Sequence, residues 1–158
     1  MLDRQQFNVP AYQSSKGIEL YASRDEYEAA TRDLRFRLEK LAYRSANLRV
    51  FAYLYSPVQP SGKRPAVIFN RGSFVRDEFA SELLTTFHRL GEAGFVVLAP
   101  MYRQSGGGEG RDEMGGADLT DLMATDIFLR HVHGWVFTKA NPELVRKWKD
   151  ERDTRDGA

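Results

Sequence analysis

Apolar and polar positions change their period several times along the chain, and each change marks an element. At Ser23 the run SRDE has the form of a capping box, and apolar residues then recur at Tyr27, Ala30, Leu34, Leu38 and Leu41. That spacing predicts one long amphipathic helix reaching to about Tyr43, with a solvated face of Arg, Asp and Glu. From Tyr43 to Tyr55, YRSANLRVFAYLY shifts to short-period alternation rich in aromatic and β-branched residues, broken near Ser45 to Asn47. This predicts two antiparallel strands joined as a hairpin. The following SPVQPSGKRP carries three of the six prolines and predicts a surface loop.

AVIFN, Ala66 to Asn70, is a continuous apolar run of the kind buried on both faces of a parallel sheet. A helical pattern follows at Phe79, Leu83, Leu84, Phe87 and Leu90, with Gly91 or Gly94 placed to close it, and FVVLA, Phe95 to Ala99, repeats the buried-strand signature. Strand, helix and strand in this order predict a right-handed βαβ unit, whose ligands bind beyond the carboxyl ends of the strands. Those ends are Asn70-Arg71-Gly72-Ser73 and Pro100-Met101-Tyr102-Arg103.

After Tyr102, RQSGGGEGRDEMGGADLTDL crowds six glycines into one loop, and Ala117 to Met123 predicts the start of a helix with Asp118 and Asp121 in its opening turns. Beyond Thr125 the pattern loses its period. Eleven of the last twenty residues are charged, which suits a solvated helix or tail better than a core element.

Composition narrows the functions. Lys and Arg total 23 against 22 Asp and Glu, a formal charge of +1, so no long-range field favours nucleic acid or a membrane surface. The absence of cysteine excludes disulfides, thiolate metal sites and cysteine nucleophiles. No window approaches the roughly 18 apolar residues of a membrane span, and MLDRQQFNVPAYQ lacks the apolar core of a signal peptide, which predicts a cytoplasmic protein.

Three stretches, YRSANLRVFAYLYSP, RPAVIFNRGSF and LGEAGFVVLAPMYRQSGGGEGRDEMGGADLTDL, together resemble the start of the catalytic domain of prolyl-oligopeptidase-like serine hydrolases, from about Tyr43 to Leu122. The specific part is the loop of Tyr102, Arg103, Ser105, Gly106, Gly107, Gly108 and Gly110, followed by Gly115, Gly116, Asp118 and Asp121. The resemblance implies an α/β fold: a partial α/β-hydrolase sheet, built from an antiparallel hairpin and a parallel βαβ unit, preceded by the amphipathic helix. It divides the chain into an N-terminal helical extension (1–42), a partial hydrolase domain (43–125) and a divergent charged segment (126–158). It also implies that Arg71, Gly72 and Ser73 form the loop whose backbone N–H groups hold an oxyanion, the glycine allowing close approach.

The sequence departs from that family in lacking any G-x-S-x-G, and the later acid and histidine find no match. No catalytic residue is therefore assigned, and the expectation is a truncated hydrolase without activity of its own. Ser73 and Ser105 lack the strand-to-helix turn of a nucleophile, and His88 reads as a surface or packing residue without an obvious partner. His131 and His133 would share one face of a strand, with Asp126 as a third ligand, but nothing supports those ligands and no metal is assigned. The glycine run does not reproduce a phosphate-binding pattern, so no cofactor is expected. The alternative is a non-catalytic binding module whose open sheet edge is covered by self-association or by a partner.

Overall fold

The hairpin is longer than its alternation suggests. The computed structural model describes residues 3–15, 17–59, 61–62, 64–70, 79–113 and 115–132, of which 126–132 are described by backbone alone. Strands β2 (Phe36–Ser45) and β3 (Leu48–Pro57) pair antiparallel along their whole length, from Phe36 opposite Pro57 to Ser45 opposite Leu48. Ala46 and Asn47 make the turn with φ of 45° and 68°, the conformation that matches a two-residue turn to the twist of the strands.

Helix α1 (Arg24–Arg32) begins as predicted: Ser23 Oγ accepts from the Glu26 N–H at 3.3 Å, and the Glu26 carboxylate accepts from the Ser23 N–H at 3.1 Å. The long helix, however, is not formed. α1 stops at Arg32, Asp33 turns the chain by accepting from the Arg35 N–H at 3.0 Å, and Leu38 and Leu41 lie on β2. Leu34, a member of the predicted stripe, is 86% exposed. The helical reading fails because β2 is covered on both faces: Leu38 packs with Tyr27, Tyr53 and Phe87, while Leu41 packs on the other face with Val50, Leu54 and Leu98. A strand buried on both sides shows no clean period of two.

β4 (Ala66–Ile68) is shorter than the predicted Ala66 to Asn70, although the Phe69 N–H still donates to Leu98 O at 2.8 Å. The predicted helix is a 3₁₀ turn at Ser81–Leu83 leading into α2 (Leu84–Glu92). Gly94, at φ 93°, ends it, with the Phe95 N–H donating to Leu90 O at 3.0 Å. Gly91 has a different use: a Cβ there would lie 2.9 Å from Phe36 Cε1 and 3.0 Å from Tyr55 Cε1, so glycine lets α2 lie close on the hairpin.

β5 (Val96–Pro100) is buried throughout and pairs parallel with β4 and antiparallel with β3. A strand not anticipated from sequence, β1 (Asp3–Gln6), joins the outer edge of β2 antiparallel, Arg4 meeting the Glu39 carboxylate. The five-stranded mixed sheet has the order β1-β2-β3-β5-β4. One face is covered by α1, α2 and an aromatic cluster of Tyr53, Phe79 and Phe87; the other meets α3 (Leu119–Val132) through Ala124. Phe87 is fully buried, and such a side chain contributes roughly 1.5–3 kcal/mol by leaving water. Among the described residues, no helix is long and apolar enough to cross a membrane.

Candidate functional site

The parallel pair ends where the sequence places its candidate chemistry. Chain leaving β5 turns sharply at Tyr102, whose φ of 62° is unusual for a residue with a side chain, and again at Gln104 with φ 68°. The Tyr102 hydroxyl donates to Asn70 Oδ1 at 3.0 Å, so the residues following β4 and β5 meet at the carboxyl edge. Beyond them Ser105–Gly107 forms one 3₁₀ turn, and Ser105 is fully buried.

The loop is held to the sheet from several directions. Asp121, on α3, takes three N–H groups of Arg103: the backbone at 2.7 Å, Nε at 3.1 Å and Nη2 at 3.0 Å. Their side chains are 0% and 8% exposed, so this is a buried, two-pronged ion pair that ties the start of the loop to the helix at its end. Thr120 Oγ1 accepts from Arg103 Nη2 at 2.9 Å, and the Tyr43 hydroxyl donates to Asp121 O at 3.1 Å. Burial, then the nearby Asp121 charge, pushes the Tyr43 phenol well above the usual tyrosine range, so it stays a neutral donor.

Lys40 Nζ donates to Gly106 O at 2.8 Å and stands 4.5 Å from the Phe51 ring centroid. Further on, the Arg49 and Glu109 backbones join through a 2.9 Å bond, and the Glu109 carboxylate accepts from the Arg49 N–H at 2.7 Å. Gly108 N–H closes the turn on Ser105 O at 3.0 Å. Gly106 and Gly107 have left-handed φ of 63° and 84°. At Gly110 the φ of 84° calls for glycine, and a Cβ there would meet the end of the Leu48 side chain at 2.7 Å. Asp118 is buried and accepts from the Gly115 N–H at 3.2 Å, while Gly116 O accepts from the Leu119 N–H at 3.1 Å as α3 begins.

Thus the structure brings Tyr102, Arg103, Ser105, the glycines and both aspartates together, with hydrogen bonds at Gly106, Gly108, Gly115 and Gly116 among the glycines. Arg71, Gly72 and Ser73 lie outside the described residues, as do His133 and the side chains of Asp126 and His131. Sequence reasoning missed Lys40, Tyr43, Arg49, Asn70 and Thr120 as partners of the loop, because four of these five contacts span 32 to 78 residues. No local spacing signals them.

His88 does have a partner. Its Nε2 lies 2.9 Å from Asp33 Oδ2, and its Nδ1 lies 3.8 Å from the Glu92 carboxylate. The ligand atoms of Asp33, His88 and Glu92 lie within 4.8 Å of one another, but Arg35 already donates to both carboxylates, at 2.6 Å and 2.9 Å. A cation thus occupies the electrostatic centre of the cluster, which is an ion-pair network at the opposite end of β5 from the glycine loop. Arg35 above all, with His88, holds the Asp33 carboxyl well below the usual carboxylate range.

No family model matches the chain. The chain is similar to an uncharacterized peptidase, YtmA, of Bacillus subtilis (strain 168), with 35% identity over 97 residues covering 56% of this chain. That match covers 33% of the relative, so the chain spans about a third of the length of the curated protein it matches. The similarity supports a peptidase-like relationship.

Proposed function

We propose that these residues carry the N-terminal part of the catalytic domain of a prolyl-oligopeptidase-like serine hydrolase, and that residues 1–158 alone do not turn over substrate. The observation that carries this reading is the meeting of Asn70 and Tyr102 at the carboxyl edge of the parallel pair, with the glycine loop anchored there by Arg103 and Asp121. In open α/β sheets that edge is where ligands bind. The sheet order, with β3 antiparallel to both neighbours and a helix between the parallel strands, supports a hydrolase arrangement.

In this reading the loop at Arg71, Gly72 and Ser73 donates backbone N–H groups to a developing oxyanion. A nucleophile elbow is absent from these residues, so the serine, the acid and the histidine have no counterparts among them. The test is labelling of the purified, folded protein with a fluorophosphonate serine probe beside a Ser73→Ala control. No labelling is expected; labelling that disappears in the control would overturn the reading.

The alternative of a non-catalytic binding module draws on β4. Among the described residues it pairs on one side only, through half-buried Ala66, Val67 and Ile68. Such an edge favours strand addition by a second chain. Sedimentation showing a monomer at all concentrations, with no co-purifying chain, would dismiss it.

A further inference from the structure

At the end of β5 away from the glycine loop, a cavity of about 410 Å³ opens between the N-terminal end of β2, the chain after β3 and the C-terminal end of α2. Its size falls within the roughly 300–1,000 Å³ of small-molecule sites. Phe36, Pro57, Val58 and Leu34 supply apolar wall, and Arg35 and Arg64 supply charge. Phe36 is backed by the Tyr55 ring, stacked with 5.3 Å between centroids, so the aromatic wall is rigid.

The two arginines differ. Arg35 is already matched, donating to Asp33 and to Glu92. Arg64 Nε is buried and, among the described residues, has no hydrogen-bond partner. Tyr55 Oη, behind the Gly91 and Phe36 wall, is likewise buried without a partner among the described residues. Arg64 also has no ion-pair partner among the described residues, so its charge on the cavity wall is uncompensated and an anion entering the cavity would meet it.

We propose that this cavity binds a small organic monocarboxylate, its carboxylate on Arg64 and its apolar part against Phe36, Pro57 and Val58. The guanidinium fork suits a planar carboxylate, and Glu92 on the rim, balanced by Arg35, opposes more highly charged anions such as phosphate esters. The site is separate from the carboxyl edge of the sheet, and the inference does not depend on the hydrolase reading.

The experiment is titration of the ¹⁵N-labelled full chain with 3-phenylpropionate and, separately, with its neutral amide, repeated on Arg64→Gln. Saturable shifts confined to the amides of Leu34 to Phe36, Val58, Arg64 and Gly91 are expected with the acid. The amide should bind at least about tenfold more weakly, as loss of a charge-assisted hydrogen bond implies, and Arg64→Gln should weaken the acid to the same degree. Equal affinity for acid and amide, shifts centred elsewhere, or no binding at millimolar acid would each overturn the proposal. Should Arg64→Gln fail to fold, the comparison of acid with amide on the unaltered chain decides alone.

Discussion

Replacing Asp121 by alanine tests whether the glycine loop is a rigid part of the fold. In the native chain the carboxylate is fully buried and receives the backbone N–H, Nε and Nη2 of Arg103 at 2.7, 3.1 and 3.0 Å. Truncation leaves a buried amide without an acceptor, about 1–3 kcal/mol, and a guanidinium that is 8% exposed without its counter-charge. Breaking a buried pair from one side destabilises by about 3–5 kcal/mol in total. Thr120 Oγ1 still accepts one N–H at 2.9 Å, so the lower end, about 3 kcal/mol, is expected. Asp121→Asn keeps one oxygen that can accept from the backbone amide and Nε, but loses the charge and sets its NH2 against Arg103 Nη2, so its loss should be somewhat smaller, about 2 kcal/mol. Urea unfolding followed by far-ultraviolet circular dichroism gives both values from the midpoint and slope. A domain of this size should lose about 6–12 °C in Tm with the alanine variant. A loss under about 1 kcal/mol for Asp121→Ala, or equal losses for Ala and Asn, would refute the reasoning, the first by denying the buried pair and the second by denying the amide's share.

Leu34 and Leu38 separate the helix that the spacing predicts from the strand that forms. Leu38→Ala, at a 4% exposed core position, should cost about 2–5 kcal/mol, while Leu34→Ala, at 86% exposure, should stay within about 0.5 kcal/mol; comparable losses in urea unfolding would restore the helix. Asp33 should make stability depend on pH. Its carboxyl is depressed in the folded state, so the stabilisation is complete above the ordinary aspartate pKa of about 3.9 and is lost as pH falls through and below it. Urea midpoints measured from about pH 5 to pH 2 should therefore fall less steeply for Asp33→Asn than for the native chain, and parallel curves would contradict the assignment.

Much of the local structure was legible along the chain. Ser23 and Glu26 announce the start of α1, Ala46-Asn47 the hairpin turn, Gly94 the end of α2, and the runs at Ala66 and Phe95 a parallel pair, of which β5 is buried and β4, against the expectation, only half-buried. Each is a signal carried by residues a few positions apart: a cap, a turn that favours left-handed backbone, or a stretch apolar enough to be covered on both faces. That Tyr102, Arg103, Ser105 and the glycines lie close to Asp118 and Asp121 was also legible, because they are near neighbours along the chain.

What only the tertiary structure decided is whatever depends on which surfaces meet. Phe36 to Tyr43 is a strand because β3 and β1 pair with it on both edges and its two faces find separate cores, and no spacing within those residues distinguishes that from a helix. β1 itself, DRQQ, has no strand signature of its own and exists through pairing with β2. Lys40, Tyr43 and Arg49 became partners of the glycine loop only because the sheet brings the hairpin beneath it, and Asp33 met His88 only because α2 packs over the turn after α1. Local order follows from backbone preference and capping over a few residues; partnership across tens of residues follows from burial, which sequence spacing does not encode.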